Sequence, residues 1–186
     1  MTPAAARAAT RLSVRTLLAA AGLALAGCAT TAPPNNNLGA ALAGRLSIRV
    51  DAHNGEAARS ASASFELRGD AQRGELTLDT PLGTMLARAR WSPEGAEAVT
   101  PDGSTRHADL DALSQDLLHE QLPLSALVDW LRGRPWVGAP SSALSSGGFE
   151  QLGWSVDLSR QSEGWVVATR AAPPAITVRA KVTGLQ

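Results

Sequence analysis

Apolar and polar residues alternate one by one over long stretches of this chain, and this period of two is the strongest constraint on its fold. It is clearest in residues 42–51 and recurs in 61–68 and 75–79. Because successive side chains of a strand point to opposite faces, the pattern predicts strands with one apolar and one solvated face, as in antiparallel sheets. In the first segment the apolar face consists of Leu42, Gly44, Leu46, Ile48 and Val50.

The rest of the chain extends this pattern to nine or ten strands with two helices inserted. Further strands are predicted at 154–158, 165–168 and 176–180, whereas the Ser/Gly-rich residues 141–148 are typical of a loop. One helix should run over 110–119, with Asp109 as its N-cap and an apolar stripe, and the other over 124–132. Gly133 and Pro135 should end the second helix. The stripe of the first consists of Leu110, Leu113, Leu117 and Leu118.

A sheet of this size tends to curl into a barrel, which can fill its interior or hold a ligand. The inward positions are Leu, Ile, Val, Ala and Trp, so a ligand held there would be apolar.

The N-terminus has the features of a bacterial lipoprotein signal. Three arginines precede an apolar run over 17–26, and the sequence Leu25-Ala26-Gly27-Cys28 places small residues before the one cysteine of the chain. The run is too short to span a bilayer, which needs roughly 20 residues as a helix. We therefore expect 1–27 to be a cleaved signal, Cys28 to be lipidated, 28–40 to be a flexible tether and 41–186 to be the folded domain. The three arginines are Arg7, Arg11 and Arg15.

The lack of a basic excess argues against nucleic-acid binding, and the lack of catalytic motifs argues against enzymatic activity. Without the signal the chain has 14 basic and 17 acidic residues, so it has no basic excess. His53, His107 and His119 share no metal-ligand spacing, and a Gly-x-Ser-x-Gly elbow is missing. Asp109 and Asp111 are ordinary acids of a first helical turn. We predict no catalytic residue, metal or cofactor; a periplasmic hydrolase that depends on His107 is the weakest alternative.

The turn Pro81-Leu82-Gly83 is unusual because it carries a large apolar residue at its tip. A proline with a glycine two residues later is typical of a tight connection, and such turns normally carry polar residues. Two interpretations follow from the residues alone. Leu82 either folds back over the end of the barrel or is an exposed apolar wedge for lipid or a protein partner.

Several segments, in this order behind the signal, resemble the LolB family of outer-membrane lipoprotein receptors of Gram-negative bacteria. The resemblance covers most of the mature domain. It rests on Leu25-Ala26-Gly27-Cys28, Gly44-Arg45-Leu46-Ser47-Ile48-Arg49-Val50, Thr80-Pro81-Leu82-Gly83-Thr84, Leu122-Pro123-Leu124, Trp130-Leu131-Arg132-Gly133-Arg134-Pro135, and the stretch from Gly148-Phe149 to Trp154.

The resemblance implies a mainly β fold, an incomplete antiparallel β-barrel covered by a helical lid that encloses an apolar cavity. It implies that the protein is anchored in the outer membrane, faces the periplasm, accepts triacylated lipoproteins from a LolA-like carrier and inserts them into the inner leaflet. Ala29 is not the aspartate associated with retention in the inner membrane. We expect a monomer. The alternative is a structural or assembly lipoprotein that binds a protein partner.

The resemblance also implies roles for individual residues. Leu82, with Pro81 and Gly83, matches the protruding loop needed for membrane delivery. The second helix matches the lid, and strand residues would line the cavity. The lid and cavity set consists of Leu124, Leu127, Val128, Trp130, Leu131, Leu46, Ile48, Phe65, Leu76 and Leu78.

Overall fold

The computed structural model describes residues 38–118 and 122–185. Cys28, most of the predicted tether and His119 lie outside the described residues. The elements in chain order are β1 (Leu42–Val50), β2 (Arg59–Gly69), β3 (Gly74–Asp79), β4 (Met85–Ser92), β5 (Gly95–Thr100), β6 (Gly103–His107), α1 (Leu110–Leu118), α2 (Leu124–Trp130), β7 (Ser141–Ala143), β8 (Gly148–Gln151), β9 (Trp154–Asp157), β10 (Trp165–Arg170) and β11 (Ile176–Leu185).

All eleven strands form one antiparallel sheet in the order β6-β5-β4-β3-β2-β1-β11-β10-β9-β8-β7. The first and last strands pair in the middle of the sheet, with Val50 opposite Ile176. The sheet does not close, since β6 and β7 are its two edges. The chain crosses from one edge to the other through α1 and α2. The prediction of an incomplete antiparallel barrel with a helical lid is therefore confirmed.

The alternating sequence pattern corresponds to alternating burial in the central strands. In β2 the side chains of Ala63, Phe65 and Leu67 are buried, and their neighbours are more exposed. The same alternation places Val166 and Ala168 of β10 in the core, with Ile176, Val178 and Ala180 of β11. The inner face of the sheet is thus aliphatic and aromatic, as predicted.

Strand direction divides the connections between two ends of the sheet. The β1–β2, β3–β4, β5–β6, β8–β9 and β10–β11 connections lie at one end, which we call the Leu82 end. The β2–β3, β4–β5, β7–β8 and β9–β10 connections lie at the other, the Leu42 end, where β1 begins.

Two details of the sequence prediction are wrong. Residues 141–148 are not all loop, because Ser141–Ala143 form the edge strand β7 against β8. All three are exposed, so no apolar alternation marks the strand. The second helix ends at Trp130 rather than at residue 132. The amides of Arg132 and Gly133 bond to carbonyls three residues back, and Gly133 has a φ of 73°, a left-handed value that suits glycine.

The first helix begins as predicted. The Asp109 carboxylate accepts a hydrogen bond from the Ala112 amide at 2.7 Å, which is the geometry of an N-cap. Leu110 and Leu113 of its predicted stripe are buried. The side chains of Leu117 and Leu118 lie outside the described part of the chain.

Candidate functional site

The predicted lid helix α2 packs onto the apolar face of the sheet. Leu127, Val128, Trp130 and Leu131 are buried in the main hydrophobic cluster, and Leu124 packs against it partly buried. The preceding α1 contacts both α2 and the strands β5 and β6. The Asp111 carboxylate of α1 accepts a hydrogen bond from the Ser125 amide of α2 at 3.1 Å, so the two helices are also joined by a polar contact.

The predicted wall residues border the same cluster from the strands. Phe65 is a buried member of the cluster. The other four wall residues are partly exposed and pack against the cluster. The structure therefore brings the lid and wall residues together around one apolar interior. The four partly exposed residues are Leu46, Ile48, Leu76 and Leu78.

Trp130 lies at the centre of this interior and is fully buried. Its ring contacts Phe149 edge-on, with centroids 6.5 Å apart, and contacts Trp154 with centroids 5.9 Å apart. Aromatic pairs in such arrangements add to the stabilisation from area burial alone. Phe149 and Trp154 are interior residues that were not predicted individually, although their positions in alternating segments mark them as inward-facing.

Gln151 is a buried polar residue that the sequence analysis also missed. Its side-chain oxygen accepts hydrogen bonds from Trp130 Nε1 (2.8 Å) and from the Trp136 amide (2.9 Å). Its Nε2 donates to the carbonyls of Trp136 and Ala139, both at 2.7 Å. One amide therefore ties the lid helix, the segment after it and the strand β8 together. Its signal in the sequence is an amide at an inward position, two residues after Phe149.

Two arginines fix the C-terminal end of α2. The guanidinium of Arg132 donates to the carbonyls of Val128 (2.7 Å) and Gly69 (2.5 Å), which connects the helix to the β2–β3 turn. Partial burial and the nearby positive charge of Arg134 lower the pKa of Arg132. Arg134 in turn pairs with the buried carboxylate of Asp129 at 2.7 Å.

The Leu82 turn is held open to solvent by its own backbone. The amide of Gly83 donates to the Thr80 carbonyl at 2.9 Å, and the Thr80 amide donates to the Thr84 carbonyl at 2.8 Å. Gly83 has a φ of 84°, which glycine adopts without strain. The Leu82 side chain is 94% exposed. The interpretation in which it folds back over the barrel end is therefore wrong.

The residues considered for catalysis have structural partners. The imidazole Nε2 of His107 lies 3.1 Å from Thr105 Oγ1 and 3.7 Å from a carboxylate oxygen of Asp116. His53 forms an isolated backbone bridge with Glu56. Within residues 38–118 and 122–185, the structure shows no group of three or more His, Cys, Asp or Glu side chains placed to hold a metal.

No helix in the described part of the chain is long and apolar enough to cross a membrane.

Comparison with known proteins identifies the family. Residues 40–184 match the family model described as "Outer membrane lipoprotein LolB". A relative from Bordetella petrii named outer-membrane lipoprotein LolB is 38% identical over 169 residues, covering 83% of this chain and 84% of its own. One of the same name from Chromobacterium violaceum is 31% identical over 157 residues, covering 80% and 84%. A third, from Ralstonia nicotianae, is 35% identical over 145 residues, covering 71% and 69%.

The names of these matches agree with the outer-membrane localisation that the sequence resemblance implies. The chain belongs to the LolB family of outer-membrane lipoproteins, which serves lipoprotein localisation.

Proposed function

We propose that the protein accepts acylated lipoproteins from a LolA-like periplasmic carrier and inserts them into the outer membrane. One observation carries this proposal. A leucine that is 94% exposed stands on a hydrogen-bonded turn at one end of a sheet whose inner face is largely apolar. Tight turns normally carry polar residues at their tips, and an apolar tip in this place suits entry into a lipid leaflet.

The apolar interior is the proposed site for the acyl chains. Each CH₂ moved from water to an apolar site contributes about 0.8 kcal/mol, so long acyl chains bind strongly without directional contacts. Such a site would accept lipoproteins that differ in their protein part. Its proposed lining is the lid and wall set around Phe65 and Trp130.

The side chains of α2 occupy the interior, so cargo requires α2 to move away from the sheet. The hydrogen bonds that join the C-terminal side of α2 to the sheet are those from Trp130 to Gln151 and from Arg132 to Gly69. Each of these two hydrogen bonds contributes about 0.5 to 1.5 kcal/mol to stability in net terms. The displacement also removes Leu127, Val128 and Trp130 from their buried positions, at a cost of about 1.5 to 3 kcal/mol for each side chain that becomes exposed. Acyl chains, at about 0.8 kcal/mol per CH₂, would have to replace this apolar contact.

Substitution of Leu82 tests the proposed delivery step. We expect Leu82→Glu to bind cargo normally and to lose delivery to liposomes, because a carboxylate at the tip opposes entry into the leaflet. Leu82→Phe keeps an apolar tip and should retain delivery. Ser146→Glu places the same charge on an exposed turn at the Leu42 end and serves as the matched control. Delivery by Leu82→Glu at the rate of the unsubstituted protein would refute the role of this turn.

The lipid anchor is part of the same proposal. Lipidation of Cys28 would hold the domain at the membrane and raise its local concentration there. Mass spectrometry of the mature protein should find an acylated N-terminal Cys28, with residues 1–27 removed.

A second candidate function, assembly through a protein partner, is favoured by the two unpaired sheet edges. The β6 strand is mostly exposed, and its edge could pair with another chain. Co-purification separates the two functions: a transfer factor should retain acyl chains or a lipoprotein, and an assembly protein should retain a partner in fixed stoichiometry.

A further inference from the structure

Exposed large apolar side chains are confined to one end of the described part of the molecule. Leu82 and Val137 are each 94% exposed, and Leu152 is 47% exposed. Leu86 is exposed at the start of β4, directly after the Leu82 turn, and Val99 is exposed near the end of β5, which pairs with β4. All five lie at the Leu82 end, although the turns of the Leu42 end also contain exposed residues.

Val137 and Leu152 are held in position by the structure around Gln151. Val137 stands between Trp136 and Ala139, whose backbone groups bond to the Gln151 amide. Leu152 directly follows Gln151 in the β8–β9 turn and has a φ of 53°. A left-handed leucine is unfavourable, and such turns normally take Asn or Gly. The fold therefore presents two further apolar tips on ordered backbone.

Charged residues are more common in the turns of the Leu42 end than in those of the Leu82 end. At the Leu82 end, residues 80–84, 135–140, 152–153 and 171–175 contain no charged residue. The turns of the Leu42 end, by contrast, carry Asp70, Arg73, Glu94, Arg160 and Glu163. At the Leu82 end, acids occur in the β1–β2 and β5–β6 connections. An uncharged set of tips suits the interface of a bilayer, where buried charge is costly.

The length of chain before β1 permits this end to face the membrane. β1 begins at the Leu42 end, and its nine residues span about 30 Å. From Cys28 to Leu38, the first described residue, the chain has 10 residue steps, which reach about 33 to 36 Å when extended. A lipid on Cys28 can therefore stay in the leaflet while the chain runs the height of the sheet and the Leu82 end touches the same leaflet.

We propose that the Leu82 end docks on the phospholipid bilayer at three points, with Val137 and Leu152 entering the interface beside Leu82. This inference rests on the proposed function and adds an orientation to it. Single side chains on separate turns can each enter between lipid headgroups, whereas a protein partner needs one continuous contact surface. Three contacts fix the tilt of the domain, which one tip cannot do.

Site-specific fluorescence on the lipidated mature protein tests the proposal. Cys28 is the only cysteine of the chain, so a cysteine introduced elsewhere is the only free thiol once Cys28 is acylated. The environment-sensitive dye NBD is attached to Leu82→Cys, Val137→Cys, Leu152→Cys or, as a control at the Leu42 end, Ser146→Cys. The unsubstituted protein treated with NBD gives the background. The vesicles contain phosphatidylethanolamine, phosphatidylglycerol and nitroxide-labelled phosphatidylcholine.

We expect blue-shifted emission and nitroxide quenching at positions 82, 137 and 152, and neither at 146. Quenching at 82 that is absent at 137, at 152 or at both would overturn the three-point contact and leave the proposed function intact. Failure of quenching at 82 would contradict the delivery role of Leu82 itself, and with it the three-point contact. Equal quenching at 146 would also overturn the proposal, because it indicates adhesion without orientation.

Discussion

Replacing Gln151 with leucine should release the segment that covers the apolar interior. The substitution removes four hydrogen bonds and leaves their partners without the amide, among them Trp130 Nε1 on a fully buried side chain. A buried group without a partner costs about 1 to 3 kcal/mol, and the three backbone groups are only part-buried. We expect the free energy of unfolding to fall by about 3 to 5 kcal/mol. This is a large share of the roughly 5 to 15 kcal/mol typical of a domain.

Urea unfolding followed by tryptophan fluorescence measures this loss. The midpoint should decrease while the slope of free energy against urea stays unchanged, because the same surface becomes exposed on unfolding. Glu150→Leu is the matched control: its side chain is on the exposed face of the same strand, so its effect should stay within about 0.5 kcal/mol. If Gln151→Leu loses less than about 1 kcal/mol, the amide does not hold α2 and the following segment in place.

Three further predictions concern the lid and the tether. Asp109→Ala should lower the free energy of unfolding by about 1 kcal/mol through loss of the helix cap, and an unchanged melting temperature would contradict that role. Arg134→Met should cost about 1 to 3 kcal/mol in urea unfolding, because the buried Asp129 carboxylate loses its cation; Arg160→Met, which breaks an exposed pair, is the control. Deleting 30–37 leaves two residue steps, about 7 Å, between Cys28 and Leu38, so the protein should stay anchored but lose quenching of a label at position 82. Unchanged quenching would refute the orientation argument.

The sheet could be predicted from the sequence because its signal is local. Alternation in 42–50 and 61–68 reports directly which side chains face inward, and these residues form β1 and β2. The cap at Asp109 and the glycine end of α2 are likewise set by chemistry within a few residues. The short edge strand β7 escaped prediction because exposed serines pair through their backbone alone, which leaves no hydropathy signal.

The candidate site was predicted in part, for the same reason. Leu82 could be identified because an apolar residue at a turn tip departs from local turn chemistry, and the structure shows that it is exposed. The role of Gln151 depends on the backbone of residues 12 to 15 positions earlier in the chain, and only the folded structure brings them together. The clustering of Val137 and Leu152 at the Leu82 end depends on strand order, which alternation does not specify.

The most direct test of the central claim is to map where an acyl chain binds. A triacylated lipopeptide with a photoreactive group on its acyl chains is loaded onto the mature protein, irradiated and analysed by mass spectrometry of the digested peptides. We expect crosslinks to the inner face of β2 around Phe65 and to α2 around Trp130. Crosslinks confined to the outer face of the sheet, for example to the charged cleft lined by Arg73, Glu94 and Arg106, would contradict it.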